Sequence, residues 1–351
     1  MVQSIRSQLS QSALWALDKA HEEGFIALIK EIRQGGCGPP SRSPSDALVH
    51  LSNSLASGSY TEYADPNVAA AYMVRYHLSH CVMAFWCFGK LFDQVGVPQQ
   101  LYVCDIGAGT GAGIVGLELA LSARGAHTEL YFDHCEPSLA MRRAGFWFHE
   151  KLSKLSRRVT AAYDATRFRW RADVPKDLPV GISGSALRVI SGFHISLPYA
   201  GVYGDGLDEV SRCIQDAMNL VNPHACVFTC HKGKRRSLDT VVGNPFREPG
   251  NTVLKLPYSE KGDSVRPKFY AELVGSYGFY LPTSDLKTGS NSPVHSWNLH
   301  RFSTPKDALV FLQVSPPENR SDVLRFSKSD AQPSKSEPQP SDPNDIDDLP
   351  F

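Results

Sequence analysis

The stretch Val103–Gly113, VCDIGAGTGAG, decides how this chain folds. An apolar run, LYVCDI, gives way at once to glycines at 107, 109, 111 and 113. Glycine removes the side chain where a backbone must turn tightly and approach a neighbour. The residues that follow have helical apolar spacing, so the segment reads as strand, tight turn, helix. A helix opening on such a turn presents free N–H groups and the positive end of its dipole.

Working outward, short apolar runs alternate with helical stretches from about residue 101 onward, the pattern of a parallel α/β sheet. Strand candidates are LYVCDI, TELYFDHC, RVTAAYD, ALRVISGFHI and ACVFTCH, with ALVFLQV as a last strand. Helices are expected over 113–123, 138–151 and 207–220, and FYAELVGSYGFY reads as a further helix entering a strand. Residues 231–268 form a Gly/Pro/Lys-rich excursion. The expected fold class is α/β: a doubly wound, mostly parallel, seven-stranded Rossmann-like sheet.

Upstream, SALWALDKAHEEGFIALIKEIRQ has apolar residues three and four apart and stops at Gly35-Gly36. CGPPSRSPS is a loop by composition. Asp65-Pro66 reads as an N-cap followed by Pro at the first helical position, opening a mostly apolar helix. Three regions are therefore expected: a helical extension over 1–60, the α/β domain over 61–314, and a tail over 315–351. The tail is rich in Pro, Ser, Asp and Gln and poor in apolar residues, so it is expected to be disordered.

Lys+Arg and Asp+Glu balance at 36 each over 351 residues, which gives no case for a globally basic nucleic-acid binder. The eight cysteines include no Cys-x-x-Cys pair, and several lie in apolar runs. Buried, reduced thiols are expected rather than a disulfide framework or a metal site. No basic leader precedes an apolar core at the N-terminus, and no apolar run is long enough to span a bilayer. A cytoplasmic location with no membrane association is the expectation.

The glycines alone do not choose a ligand, since GAGTGA (107–112) also satisfies the dinucleotide pattern G-x-G-x-x-G/A. The acids discriminate. With Asp105 two residues before Gly107, the loop resembles the D-x-G-x-G-x-G loop of class I S-adenosylmethionine (SAM)-dependent methyltransferases. The resemblance covers roughly 60–314 and implies SAM as cofactor, with Asp105, Gly107, Gly109 and Gly111 lining it. It further implies that Glu136, closing the second strand, binds the ribose hydroxyls, and that Asp164, closing RVTAAYD, sits near the adenine amino group. A cationic sulfonium and ammonium favour nearby carboxylates. Helix capping is the plainer role open to Glu136 and Asp164.

DIGAGTG, EPSLAMRRAG and the Tyr-rich helix before the loop are also similar to the methyltransferase-like family associated with the small ribosomal subunit of mitochondria and bacteria. That family's cysteine cluster after the fifth strand is missing here, where only CVFTCH stands, so its iron–sulfur chemistry does not carry over. SLPY (Ser196–Tyr199) resembles the [D/N/S]-P-P-[Y/F] motif of adenine amino-methyltransferases, with Leu197 in place of the first proline. His194 and Tyr199 are the candidate catalytic residues, with lining of the core wall as the alternative. HKGKRR places Lys232, Lys234, Arg235 and Arg236 after the fifth strand, where they could track the phosphates of a nucleic-acid substrate.

NDIDDLPF resembles the tip of bacterial single-stranded DNA-binding protein: an acidic run ending in D-D-[I/L]-P-F. That likeness implies partner docking through Asp347, Asp348, Leu349, Pro350 and Phe351, the partners being bacterial replication or repair proteins that read such tips. An acidic, solubilising tail is the alternative. A catalytically silent module acting through its tip and an NAD-dependent oxidoreductase are the competing functional readings.

Overall fold

A computed structural model of the chain describes residues 11–57, 61–125, 127–156, 166–193, 204–231, 252–258, 268–279 and 308–314. Two long helices come first, α1 (Gln11–Arg33) and α2 (Pro44–Ser57). Helix α3 (Pro66–Tyr72) begins as expected: Asp65 Oδ1 accepts from Asn67 N at 2.8 Å, and Pro66 needs no donor in the first turn. A π-helical turn, Met73–His77, then joins α3 to α4 (Leu78–Val95). Such turns are rare and cluster at functional sites.

The strands are β1 (Gln100–Ile106), β2 (Glu129–Cys135), β3 (Thr166–Arg171), β4 (Leu187–Gly192), β5 (Ala225–His231), β6 (Thr252–Tyr258) and β7 (Ala308–Val314). The connecting helices are α5 (Ala112–Ser122), α6 (Leu139–Ser156), α7 (Gly204–Val221) and α8 (Lys268–Ser276). The sheet order is β3-β2-β1-β4-β5-β7-β6. Its first five strands run parallel, whereas β7 is antiparallel to both β5 and β6. Strand β6 falls inside the Gly/Pro/Lys-rich stretch 231–268.

Alternation along β1 divides the core. Leu101 and Val103 point into the layer built from α1 to α6, whereas Tyr102, Cys104 and Ile106 point toward α7. Helix α5 is buried from Ala112 to Leu121 because α4 covers the side turned away from the sheet. Helix α1 packs along α6, and its Glu31 accepts from Arg143 Nε at 2.5 Å and from Trp147 Nε1. Six cysteines, among them Cys81, Cys104 and Cys226, are free and buried.

The third strand lies later in the chain than the apolar pattern predicts. RVTAAYD, residues 158–164, precedes it and lies outside the described residues. Strand β3 is TRFRWR, at the sheet edge. Its Arg169 makes paired bonds to buried Asp133 at 2.5 and 2.6 Å, while Phe168 and Trp170 face the core beside Phe132 and His134.

Candidate functional site

Parallel strands β1, β2 and β4 all end on one edge of the sheet, and the strand order reverses between β1 and β4. Open α/β sheets bind ligands in the crevice at such a switch point. The glycine turn occupies it. Gly107, Gly109 and Gly111 adopt φ of +63°, +55° and +78°, a region costly for any residue with a Cβ.

Asp105 sits at the floor of the turn and is fully buried. Ser191 on β4 donates to its Oδ1 at 2.8 Å. Its Oδ2 has no hydrogen-bond partner among the described residues and lies against Gly113, where an added Cβ would collide with it. Burial first, and then nearby Glu136, pushes the Asp105 carboxyl up to about 7, against the lowering effect of the Ser191 bond. A buried carboxylate with one orphaned oxygen and no cation bonded to it is costly unless a ligand completes it.

Glu136 follows β2 directly. Its Oε2 accepts from Gly109 N at 3.0 Å and its Oε1 from Ser138 N at 2.9 Å. One carboxylate thus ties the glycine turn to the loop before α6, so the capping role and the placement beside the turn coexist. Burial raises its carboxyl, opposed by those two N–H bonds and by the Arg142 cation.

Asp164, expected as the third acid, precedes β3 by two residues and lies outside the described residues. Beyond the carboxyl end of β3 comes Asp173, an exposed acid; burial lowers the Arg142 guanidinium, and Glu136 and then Asp173 oppose that shift. His194 and Tyr199 lie outside the described residues, as do Lys232, Lys234, Arg235, Arg236 and the tail segment Asp347, Asp348, Leu349, Pro350 and Phe351.

Two histidines that the sequence did not single out frame the turn. His134 on β2 is fully buried, and neither ring nitrogen has a hydrogen-bond partner among the described residues. Burial is the main cause that drives its imidazole down to about 3, so it is neutral beneath Gly111. His77, in the π-helical turn, bonds Thr110 Oγ1 through Nδ1 at 2.7 Å and stacks on His21 with centroids 5.8 Å apart. The N-terminal helices thereby reach the glycine turn.

Among the described residues, no group of three or more His, Cys, Asp or Glu could hold a metal ion, and no helix is long and apolar enough to cross a membrane. The fold is an open α/β sheet with Asp105 and Glu136 at its switch-point crevice. No protein-family model matches the chain, and no curated protein matches it. Solved structures do align. One is described as a class I SAM-dependent methyltransferase from Listeria monocytogenes, with 9% identity, 91% of this chain and 92% of that one covered, and a TM-score of 0.40. Another is the plantazolicin methyltransferase BpumL, with 12% identity, 77% and 97% covered, and a TM-score of 0.37. A third is the magnesium protoporphyrin IX methyltransferase from Synechocystis PCC 6803, with 11% identity, 68% and 81% covered, and a TM-score of 0.33. At such scores the likeness carries no weight, and function rests on the site.

Proposed function

We propose that this protein is a SAM-dependent methyltransferase whose acceptor is a nucleic acid. One observation carries the cofactor: the buried, half-satisfied Asp105 carboxylate under the glycine turn, with Glu136 at the next strand end. Two acids flanking one crevice suit a cationic ligand and oppose a pyrophosphate. The sheet agrees, since the dinucleotide-binding order is 3-2-1-4-5-6, and here the sixth place is taken by antiparallel β7.

In this reading Asp105 holds the cofactor's positive end, the glycine turn lets the backbone approach it, and Glu136 receives the ribose hydroxyls. Bound SAM supplies an electrophilic methyl group on a sulfonium. Positioning is the main demand on the protein, and a base is needed only where the acceptor atom carries a proton. His194, two residues beyond β4, is the proposed base, and Tyr199 the proposed contact to the acceptor. Asp164, just before β3, is the proposed contact to the adenine amino group.

A nucleic-acid acceptor is supported by chain connectivity. Lys232, Lys234, Arg235 and Arg236 come directly after β5, whose carboxyl end shares the sheet edge with the glycine turn. The acidic segment Asp347–Phe351 is proposed as a docking motif for replication or repair proteins. Titration calorimetry with SAM and with NAD tests the cofactor directly: micromolar SAM binding that Asp105→Ala abolishes is expected. NAD binding without SAM binding would end the proposal. Deleting Leu349–Phe351 should remove partner capture while leaving SAM affinity unchanged.

A further inference from the structure

The glycine turn is built from residues that hold no shape on their own. Gly107, Gly109 and Gly111 all adopt positive φ, and glycine loses more conformational freedom on ordering than any other residue. Between the last two stands Thr110, which is buried and carries the one polar side chain of the stretch Gly107–Gly111. Glu136 holds the turn at Gly109 N, but that carboxylate is also the group proposed to receive the ligand. Thr110 is held from the helical layer instead: His77 Nδ1 bonds its Oγ1 at 2.7 Å. Behind it α6 closes in at Gly145, where an added Cβ would stand 3.0 Å from the Thr110 carbonyl carbon.

His77 is itself fixed from several directions. It is fully buried, and the Sγ of Cys81, one turn on in α4, lies 3.4 Å from its Nε2. Burial raises the Cys81 thiol well above its ordinary range, so the thiol keeps its proton and donates it to Nε2. A neutral imidazole has one donor and one acceptor, which leaves Nδ1–H to donate to Thr110. Phe148 of α6 meets the ring edge-on at 4.3 Å. The π-helical turn delivers the ring to this place. His77 is its last residue, and the carbonyl of its first, Met73, accepts from His21 Nε2 on α1 at 2.7 Å. Widened turns of this kind interrupt helices mostly where a side chain has a task.

We infer that His77 is a positioning residue which, through the Thr110 hydroxyl, presets the glycine turn in the form that accepts the cofactor; the ligand's identity rests on the methyltransferase reading. A turn ordered beforehand has less freedom to lose on binding, so loosening it costs affinity. The loss of one such hydrogen bond corresponds to roughly a two- to tenfold change.

The test pairs hydrogen exchange of the ligand-free, full-length protein with SAM calorimetry on the same preparations. Thr110→Val keeps the shape and removes the hydroxyl. It should speed exchange of the amides of residues 107–111 and weaken SAM binding by about two- to tenfold. Thr110→Ser keeps the hydroxyl and should restore both. His77→Leu should behave like Thr110→Val, whereas His77→Asn, which puts an amide N–H near the place of Nδ1, should restore both. The double variant His77→Leu/Thr110→Val should bind SAM no more weakly than the weaker single variant, because each removes the same bond. If His77→Leu does not fold, the Val and Ser variants of Thr110 carry the comparison. Wild-type SAM affinity in Thr110→Val, equal losses in Val and Ser, or additive losses in the double variant overturn the positioning role. Absence of SAM binding in the wild type, with exchange at the turn still dependent on the Thr110 hydroxyl, overturns the methyltransferase reading alone.

Discussion

Asp105 holds a proton in the folded protein over a range where the unfolded chain has already lost it. Its ordinary value is 3.8, and burial pushes it to about 7. Its stabilising neutral form is therefore fully present below about 3.8 and is lost as pH rises through 7, so ligand-free stability falls across that window. Asp105→Asn removes the charge but keeps the shape. In the ligand-free state at pH 8 it should be more stable than wild type by roughly 2–4 kcal/mol, at about 1.4 kcal/mol per pKa unit. At pH 4 the gain should vanish, and SAM binding should be lost at both. Urea titrations at the two pH values measure the first effect, calorimetry the second. A destabilised Asn variant at pH 8 would mean that Asp105 is a structural residue and not a ligand site held open. The trade of stability for a charged ligand site is a familiar one.

Helix α5 shows how one element serves both the core and the crevice. At its first turn Gly113 leaves room for Asp105 Oδ2, and one turn on Gly116 lets α4 approach until an added Cβ would strike Ala84 and the Phe85 backbone. The two positions should separate. Gly116→Ala should cost about 1–3 kcal/mol in unfolding free energy with cofactor affinity little changed. Gly113→Ala should displace Asp105 and weaken SAM binding by about tenfold or more with a smaller loss of stability. Thermal melts paired with calorimetry distinguish them, and equal effects on both readouts would refute the division. At this scale the sequence was readable where pattern and burial agree. LYVCDI and TELYFDHC became strands because both of their faces are covered, and Asp65-Pro66 started a helix because capping chemistry is local. Strand β3 was not readable. As an edge strand it presents arginine at alternate positions, satisfied by an acid on a neighbouring strand, Asp133. A search for apolar runs passes over TRFRWR and settles on RVTAAYD. The π-helical turn left no trace either, since MVRYH has the composition of the helices around it.

At the scale of the whole molecule the N-terminal helices share one core with the α/β sheet. Helix α1 buries Ala20, Phe25 and Leu28 completely, in the same core as β1 and β2. Phe25 meets Tyr277 and Phe279 edge-on at 5.8 and 5.7 Å, beyond the end of α8. Arg33 lies 4.9 Å over the Tyr277 ring, and Ser45 Oγ donates to the Gly278 carbonyl at 2.8 Å. The start of the chain thus closes on residues more than two hundred positions later. On the other side α1 holds α6 through Glu31, and α6 follows the Glu136 loop. Removing residues 1–43 would strip this surface from the core and leave Phe148, Phe279 and the α3 alanines exposed to water. Chevron or equilibrium unfolding of the truncated chain should show no cooperative transition, and Phe25→Ala in the full chain should cost about 3–5 kcal/mol. SAM binding should be lost with the truncation even though every glycine-turn residue remains, because His77 reaches Thr110 from this layer. A truncated chain that melts cooperatively and binds SAM at wild-type affinity would show instead that the sheet folds alone and that the helices merely cover it.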